Sequence, residues 1–381
     1  MTVESPARRS ALTIALAGVV ALAVGMGIGR FAFTPILPMM QEDAGVSIAM
    51  GGWLASANYI GYLAGALSVI WWRIGATTGI RAGLAAIGLA TLAMGLAHHV
   101  AVWLLLRALA GVASAWVLIY VSAWCLERLA SLERPELGNI VFAGVGAGIV
   151  LAGGLCLALM HAGAGSARAW IVLGALSIVL SAAIWTVFGS PSGAPASAER
   201  SADRMAWDRE SLRLVLCYGA FGFGYIIPAT FLPAMAKEVV RDPVVFGWSW
   251  PVFGAAAMGS TLATAMLRSL VTNRRLWVTS HLVMAFGVAL PIVWPGIVPI
   301  MLAALLVGGT FMVVTMVGMQ EARSVGRVHA TGLMAAATSA FALGQIVGPI
   351  SVSLVVGAGG GFSAALAIAC IALVLSAYAL I

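Results

Sequence analysis

The chain has 381 residues, of which 62% are hydrophobic and only 9% charged. A soluble domain carries about 25% charged residues, so the composition excludes a water-soluble globular protein and indicates a polytopic membrane protein. The formal charge of +7 does not signify a nucleic-acid partner, because the basic residues lie in short polar connections between apolar runs.

A membrane-spanning helix needs about 20 mostly apolar residues. Twelve runs meet that length, at about 11–39, 48–72, 80–97, 100–124, 138–162, 168–188, 211–236, 245–267, 277–294, 297–318, 331–356 and 362–381. The first follows Arg8-Arg9 and resembles a signal peptide at its start. It continues for about 28 apolar residues, beyond the 7–15 of a signal core, and therefore reads as the first span. Its second half, Gly-Met-Gly-Ile-Gly-Arg-Phe-Ala-Phe-Thr-Pro-Ile-Leu-Pro-Met-Met over 25–40, carries three glycines, two prolines and one arginine. Glycine and proline in a span allow close approach or bending and mark binding or moving parts. An arginine there faces a cavity or the protein interior, because lipid excludes its charge. Pro35 and Pro38 are expected to bend the first span, and Pro228 and Pro233 the seventh, near their outer ends.

The one long polar segment, 190–210, falls between spans six and seven. It divides the chain into 1–189, a linker at 190–210, and 211–381, each flanking part holding six spans. With the N-terminus in the cytoplasm, Arg8, Arg9, Arg73, Arg81, Arg128, Arg134, Arg200, Arg204, Arg209, Arg213, Arg268, Arg274, Arg275, Arg323 and Arg327 all fall on the cytoplasmic side. Only Arg168, Lys237 and Arg241 fall outside, while Arg30 and Arg107 are within spans. This bias puts both termini in the cytoplasm of a bacterial inner membrane. Cys125, Cys156, Cys217 and Cys370 sit in apolar runs without metal or redox spacing, so they read as buried apolar side chains. No cofactor motif is present, including any phosphate-binding Gly-x-x-x-x-Gly-Lys-Ser/Thr stretch.

An internal repeat supports two parallel halves. Gly27-Ile-Gly-Arg-Phe-Ala-Phe-Thr-Pro-Ile-Leu-Pro-Met-Met40 aligns with Gly222-Phe-Gly-Tyr-Ile-Ile-Pro-Ala-Thr-Phe-Leu-Pro-Ala-Met235, and the same offset superposes Gly52-Trp53 on Gly247-Trp248. Parallel repeats place a substrate site at their interface near mid-membrane.

The pattern resembles the major facilitator superfamily. Leu104-Leu-Leu-Arg107-Ala-Leu-Ala-Gly111 is similar to the superfamily's fourth-span motif, and Gly144-Val-Gly146-Ala-Gly148-Ile-Val-Leu-Ala-Gly153-Gly154 to the fifth-span motif of its antiporters. Arg73-Ile-Gly75-Ala-Thr-Thr-Gly79-Ile-Arg81 is a remnant of its motif between spans two and three, without the usual aspartate. Within the superfamily, the 27–40 stretch and Gly344-Gln345-Ile-Val-Gly348-Pro349 resemble the YbfB/YjiJ-type bacterial transporters. The resemblance implies an all-α membrane protein of twelve transmembrane helices in two pseudo-symmetric six-helix bundles, and a secondary transporter. In that fold, spans one and four border a central cavity.

Arg30 lies roughly 13 Å and Arg107 roughly 10 Å from the outer ends of their spans, at about 1.5 Å per residue. All thirteen acidic residues fall in loops, tails or span ends, so neither arginine has a carboxylate partner at its depth. Two readings of this pair remain open. Together they attract an anion through planar bidentate hydrogen bonds, or Arg107 is structural and bonds carbonyls of a neighbouring span. Asn58 and Tyr62 share one face of span two. With Tyr225 and Gln345 they are candidate pocket residues, or packing residues, and an amide in lipid needs a partner. Gly29, Gly148 and Gly348, with the four prolines, are candidate hinge or gating positions. His281 in span nine titrates near neutral pH when unperturbed, and a packed ring is the alternative to a proton relay.

The resulting expectation is a monomeric, non-enzymatic carrier in contact with membrane lipid, with a small-molecule substrate and a coupling proton or ion left open. The favoured cargo is a small organic anion or zwitterion. The alternatives are an efflux antiporter for apolar or cationic compounds and a non-transporting membrane sensor or scaffold.

Overall fold

A computed structural model describes residues 6–72, 74–189, 207–239, 248–267, 271–294, 296–357 and 362–381, and every regular element among them is helical. Most of the expected linker, together with Arg73, Arg200, Arg204, Arg241 and Arg268, lies outside the described residues.

The first apolar run is not one helix. Helix α1 (Pro6–Leu22) widens into a π-helical turn at Ala23–Ile28, turns over 29–32 follow, and α2 (Phe33–Asp43) completes the run. Gly29 N–H bonds the Val24 carbonyl at 2.9 Å and Phe31 N–H the Met26 carbonyl at 3.0 Å, each one residue further back than an α-helical bond. The glycines admit close neighbours at this point: a Cβ would meet Val117 at Gly25, the Gly148 backbone at Gly27, and Ser114 at Gly29. The irregularity therefore precedes Pro35 and Pro38, where a bend was expected. Pro35 is the third residue of α2, and its missing N–H costs no helical bond there.

The remaining crossings follow the expected runs: α3 (Ile48–Trp71), α4 (Ala76–Leu96), α5 (Val100–Ser131), α6 (Leu137–His161), α7 (Ser166–Ile184), α8 (Arg209–Val239), α9 (Ser249–Leu267), α10 (Asn273–Val293), α11 (Ile297–Gly326), α12 (Ala330–Gly357) and α13 (Phe362–Ala379). Helices α5 and α11 outrun their apolar stretches. Their last turns carry Glu127 with Arg128 and Glu321 with Arg323, so helical bonding continues where hydropathy has ended. Helix α8 runs continuously through Pro228 and Pro233. The Pro233 side chain lies outside the described residues.

Helix ends are fixed by local caps. Ser47 Oγ accepts from Met50 N–H at 3.1 Å at the start of α3. Asp43 spans to α7, accepting from Ser166 N–H at 2.5 Å and from its hydroxyl at 2.7 Å. Asp208 accepts from Ser211 N–H at 2.7 Å at the start of α8. Hydrogen bonds from the Ser211 hydroxyl and N–H hold the Asp208 carboxyl below its ordinary range. At the same end of the second half, Arg274 bridges Glu210 and Glu321.

Nine stretches among the described residues are long and apolar enough to cross a membrane. Exposed tryptophans mark the two faces of that layer. Trp71, Trp72, Trp185 and Trp207 lie towards one face, and Trp53, Trp248 and Trp294 towards the other. Indoles prefer such membrane–water boundaries. Between them, Leu89, Leu105, Phe286, Val179 and Ile371 are exposed, as lipid-facing side chains are.

Among the described residues, the broadest contacts between the chain before the linker and the chain after it are α6 on α9 and α3 on α12, with smaller ones of α5 on α12 and α6 on α11. Glycines make these seams close. Gly146 of α6 has room only for hydrogen against Gly254 and Met258 of α9, and Gly153 abuts Pro251.

Candidate functional site

The turns at 29–32 leave main-chain groups without helical partners inside the apolar layer, and the neighbouring α5 supplies donors. Arg107 Nη1 donates to Gly29 O at 3.5 Å, Nη2 to Arg30 O at 3.4 Å, and Nε to Leu54 O of α3 at 3.5 Å. Its guanidinium also lies 4.6 Å from the Phe33 ring. Ser114 donates to Gly25 O at 2.7 Å, and Asn58 Nδ2 to the Arg107 carbonyl at 3.0 Å. Arg107 thus staples the broken crossing to α3 and α5, spending a nitrogen on each of three carbonyls. Arg107→Leu is expected to leave these carbonyls bare, at about 1–3 kcal/mol for each buried group that finds no donor. Thermal melting of the purified variant tests this. Melting at the wild-type temperature would mean that the staple carries no weight.

Arg30 is placed differently. It is 3% exposed, and its Nη2 donates to Gln345 Oε1 of α12. Its guanidinium carbon stands 4.0 Å from the Tyr62 ring centre, with Tyr59, Phe31 and Phe341 at 5.4, 5.7 and 5.9 Å. Arg30 Nε and Nη1, Tyr62 Oη and Gln345 Nε2 are buried without a hydrogen-bond partner among the described residues. No carboxylate is paired with Arg30 or Arg107 among the described residues, and those ion pairs that are seen lie at helix ends.

Rings from both sides of the seam continue outward from this point. Phe31 meets Phe311 of α11 edge-on at 5.6 Å and Trp250 of α9 at 6.2 Å. Tyr225 of α8 stacks on Phe311 at 4.5 Å and on Phe341 at 6.2 Å. Trp250 stacks on Phe253 at 5.1 Å.

Of the residues expected at a site, the structure brings Arg30, Tyr62 and Gln345 together, with Tyr225 in the adjoining ring cluster. Arg107 and Asn58 stand one layer behind, holding the backbone that carries Arg30. Gly29 supplies a carbonyl to that layer. Gly148 packs against Ala23 of the π turn and Gly348 against Ile226 of α8. His281 is buried against Trp277, whose indole N–H donates to His281 Nε2 at 3.1 Å; it makes no hydrogen bond to the Arg30 cluster.

Sequence reasoning passed over Tyr59, Trp250, Phe311 and Phe341, since single aromatic residues carry no signal in so apolar a chain. It also passed over a second polar link across the seam, in which Gln320 Nε2 of α11 donates to Asn139 Oδ1 of α6 at 2.6 Å. The argument that an amide within an apolar run needs a partner singles out Asn58 and Gln345, and applied evenly it reaches Asn139 and Gln320.

The profile of a protein family described as "uncharacterised MFS-type transporter YbfB" matches residues 22–381. The chain belongs to this family. It is therefore a multi-pass membrane protein of the major facilitator type, a transporter and not an enzyme. No curated protein matches it. Transporters of this superfamily bind small-molecule substrates, and the YbfB-type match covers all the residues of the Arg30 cluster.

Proposed function

We propose that this YbfB-type protein is a secondary transporter that binds a small organic anion or zwitterion at Arg30, between two six-helix halves, and exposes it alternately to either side. The observation that carries the reading is the Arg30–Gln345 hydrogen bond across the seam, with buried donors left over on both residues. A carboxylate accepts through two oxygens and offers about four lone-pair sites. Once it displaces Gln345 from Arg30 Nη2, it would take Nη2 with Nη1, or Nη2 with Nε, as a fork, and the hydroxyl of Tyr62. A half-turn of the Gln345 amide would present its NH₂ to the same anion. One ligand would then contact both halves, and its arrival would replace the direct bond between them. A cationic or apolar cargo is less well served, because the guanidinium already occupies the ring faces of Tyr62 and Tyr59.

Twelve crossings in halves 1–189 and 211–381, joined by 190–210, agree with the packing. Ile297–Gly348 is interrupted by a 3₁₀ turn at Arg327–His329 and contains two helices, while α9 and α13 are slightly short of a full span within the described residues. The 195-residue offset carries α3 onto α9 and α6 onto α12. The α3–α12 contact thereby becomes the α9–α6 contact, as a twofold arrangement of halves requires. The excess of arginine on one face places that face, and both termini, in the cytoplasm of a bacterial inner membrane.

The test is counterflow in proteoliposomes preloaded with a panel of organic anions, zwitterions and cations. Exchange restricted to carboxylate-bearing solutes is expected. Exchange of organic cations with indifference to anions would overturn the reading, and binding without counterflow would identify a sensor instead.

A further inference from the structure

We infer that the cargo is a singly charged carboxylate with a flat, apolar body, of the arylcarboxylate class, and this inference rests on the anion reading above. Three observations carry it.

The first is the number of cations free to bind. Arg107 donates to three main-chain carbonyls, and among the described residues only Arg30 keeps unused guanidinium nitrogens in the seam. A second carboxylate on the cargo would be buried with no cation to meet it.

The second is the kind of polar group left over. Arg30 Nε, Arg30 Nη1, Gln345 Nε2 and Tyr62 Oη can all donate. They belong to one residue, its hydrogen-bond partner and the ring beneath it, so they form a single head-group site. They suit a carboxylate. An ammonium group has nothing to offer them.

The third is the wall beyond the head. Phe31, Phe311 and Phe341 present only carbon, and they come from the turns over 29–32 and from two helices on the other side of the seam. Tyr225 lies nearly parallel to Phe311, at 12°. A ring cluster belonging to one bundle's core would stay packed while the halves rock. This cluster straddles the seam, so parting the halves separates Phe31 from Phe311 and Trp250. A flat apolar body can replace those lost ring contacts, stacking or meeting edges as aromatic pairs do. A hydroxyl-rich body would set its hydroxyls against phenylalanine faces.

The experiment is a thermal-shift titration of the purified full-length protein with benzoate, acetate, terephthalate and benzamide. Benzoate is expected to stabilise the protein at a concentration at least about tenfold below that for acetate. Terephthalate, with its second charge, and benzamide, with none, are expected to fall well behind benzoate. Arg30→Gln is expected to abolish the benzoate response, and Phe311→Leu to close the gap between benzoate and acetate. Size-exclusion profiles confirm that each variant is folded, and Phe341→Leu provides the same comparison if Phe311→Leu is not. Equal responses to acetate and benzoate would overturn the flat body, and a stronger one to terephthalate the single charge; either, if lost in Arg30→Gln, would leave the anion reading standing. Absence of any Arg30-dependent response to these anions would overturn both.

Discussion

Arg30→Gln is expected to lower anion counterflow by about 100-fold or more while leaving the protein folded. Glutamine keeps a polar tip near the place of Arg30 Nε, but it removes the charge and the fork. Deleting one partner of a buried, hydrogen-bonded charge pair costs about 2–5 kcal/mol, and each 1.4 kcal/mol is about a factor of ten. Folding is spared because Arg30 lends little to it. Among the described residues its side chain makes one hydrogen bond, to Gln345, and the turn that carries it is held by Arg107 through main-chain carbonyls. Arg30→Lys is expected to fall between the two, since an ammonium restores the charge without the planar pair of donors. Rates are read in proteoliposomes of matched protein content. A wild-type rate in Arg30→Gln would place the cargo elsewhere.

The second large effect is on folding. Gly148→Val is expected to prevent a stable, monodisperse protein from being isolated, or to lower its melting temperature by many degrees. A Cβ at Gly148 would run into the oxygen, Cα and carbonyl carbon of Ala23, and one at Gly27 into Gly148 itself. These neighbours are backbone and cannot rotate away as a flexible side chain does. Overpacking costs about 1–3 kcal/mol where side chains can adjust and more where they cannot. Here it would also push α6 off the π turn that positions Arg30. Gly154→Val on the same helix is the control, because a Cβ there meets nothing within 4 Å. Equal stability of the two variants would show that the α1–α6 approach is not needed.

Much of the architecture follows from local composition. A run of about 20 apolar residues has few options in lipid other than a helix, because no water is present to satisfy its backbone. The crossings and most of their ends were therefore legible residue by residue. So was the place of the internal symmetry, since a repeat is a property of the string. The distant partner of Arg30 was foreseeable for a related reason: a charge without a local opposite, set in an apolar stretch, must be met by something distant, here Gln345.

What the string did not carry is which distant group meets which charge. Arg30 and Arg107 look alike in sequence, two arginines of similar depth in neighbouring spans. Their roles divide only when the chain is folded. The turns over 29–32 free carbonyls that absorb Arg107, and Arg30 is left facing Gln345 across the seam. The prolines did not point to the π turn, because that turn depends on how closely α5 and α6 approach Gly25, Gly27 and Gly29, a packing property and not a propensity. The ring cluster likewise exists only in three dimensions: Phe31 comes from the turns over 29–32, and Tyr225, Trp250, Phe311 and Phe341 from four separate helices. Sequence thus determined that this chain crosses a membrane and carries an uncompensated charge within it. Tertiary structure decided which arginine is spent on the backbone and which stays free, because hydrogen-bond satisfaction in lipid is settled between helices and not along them.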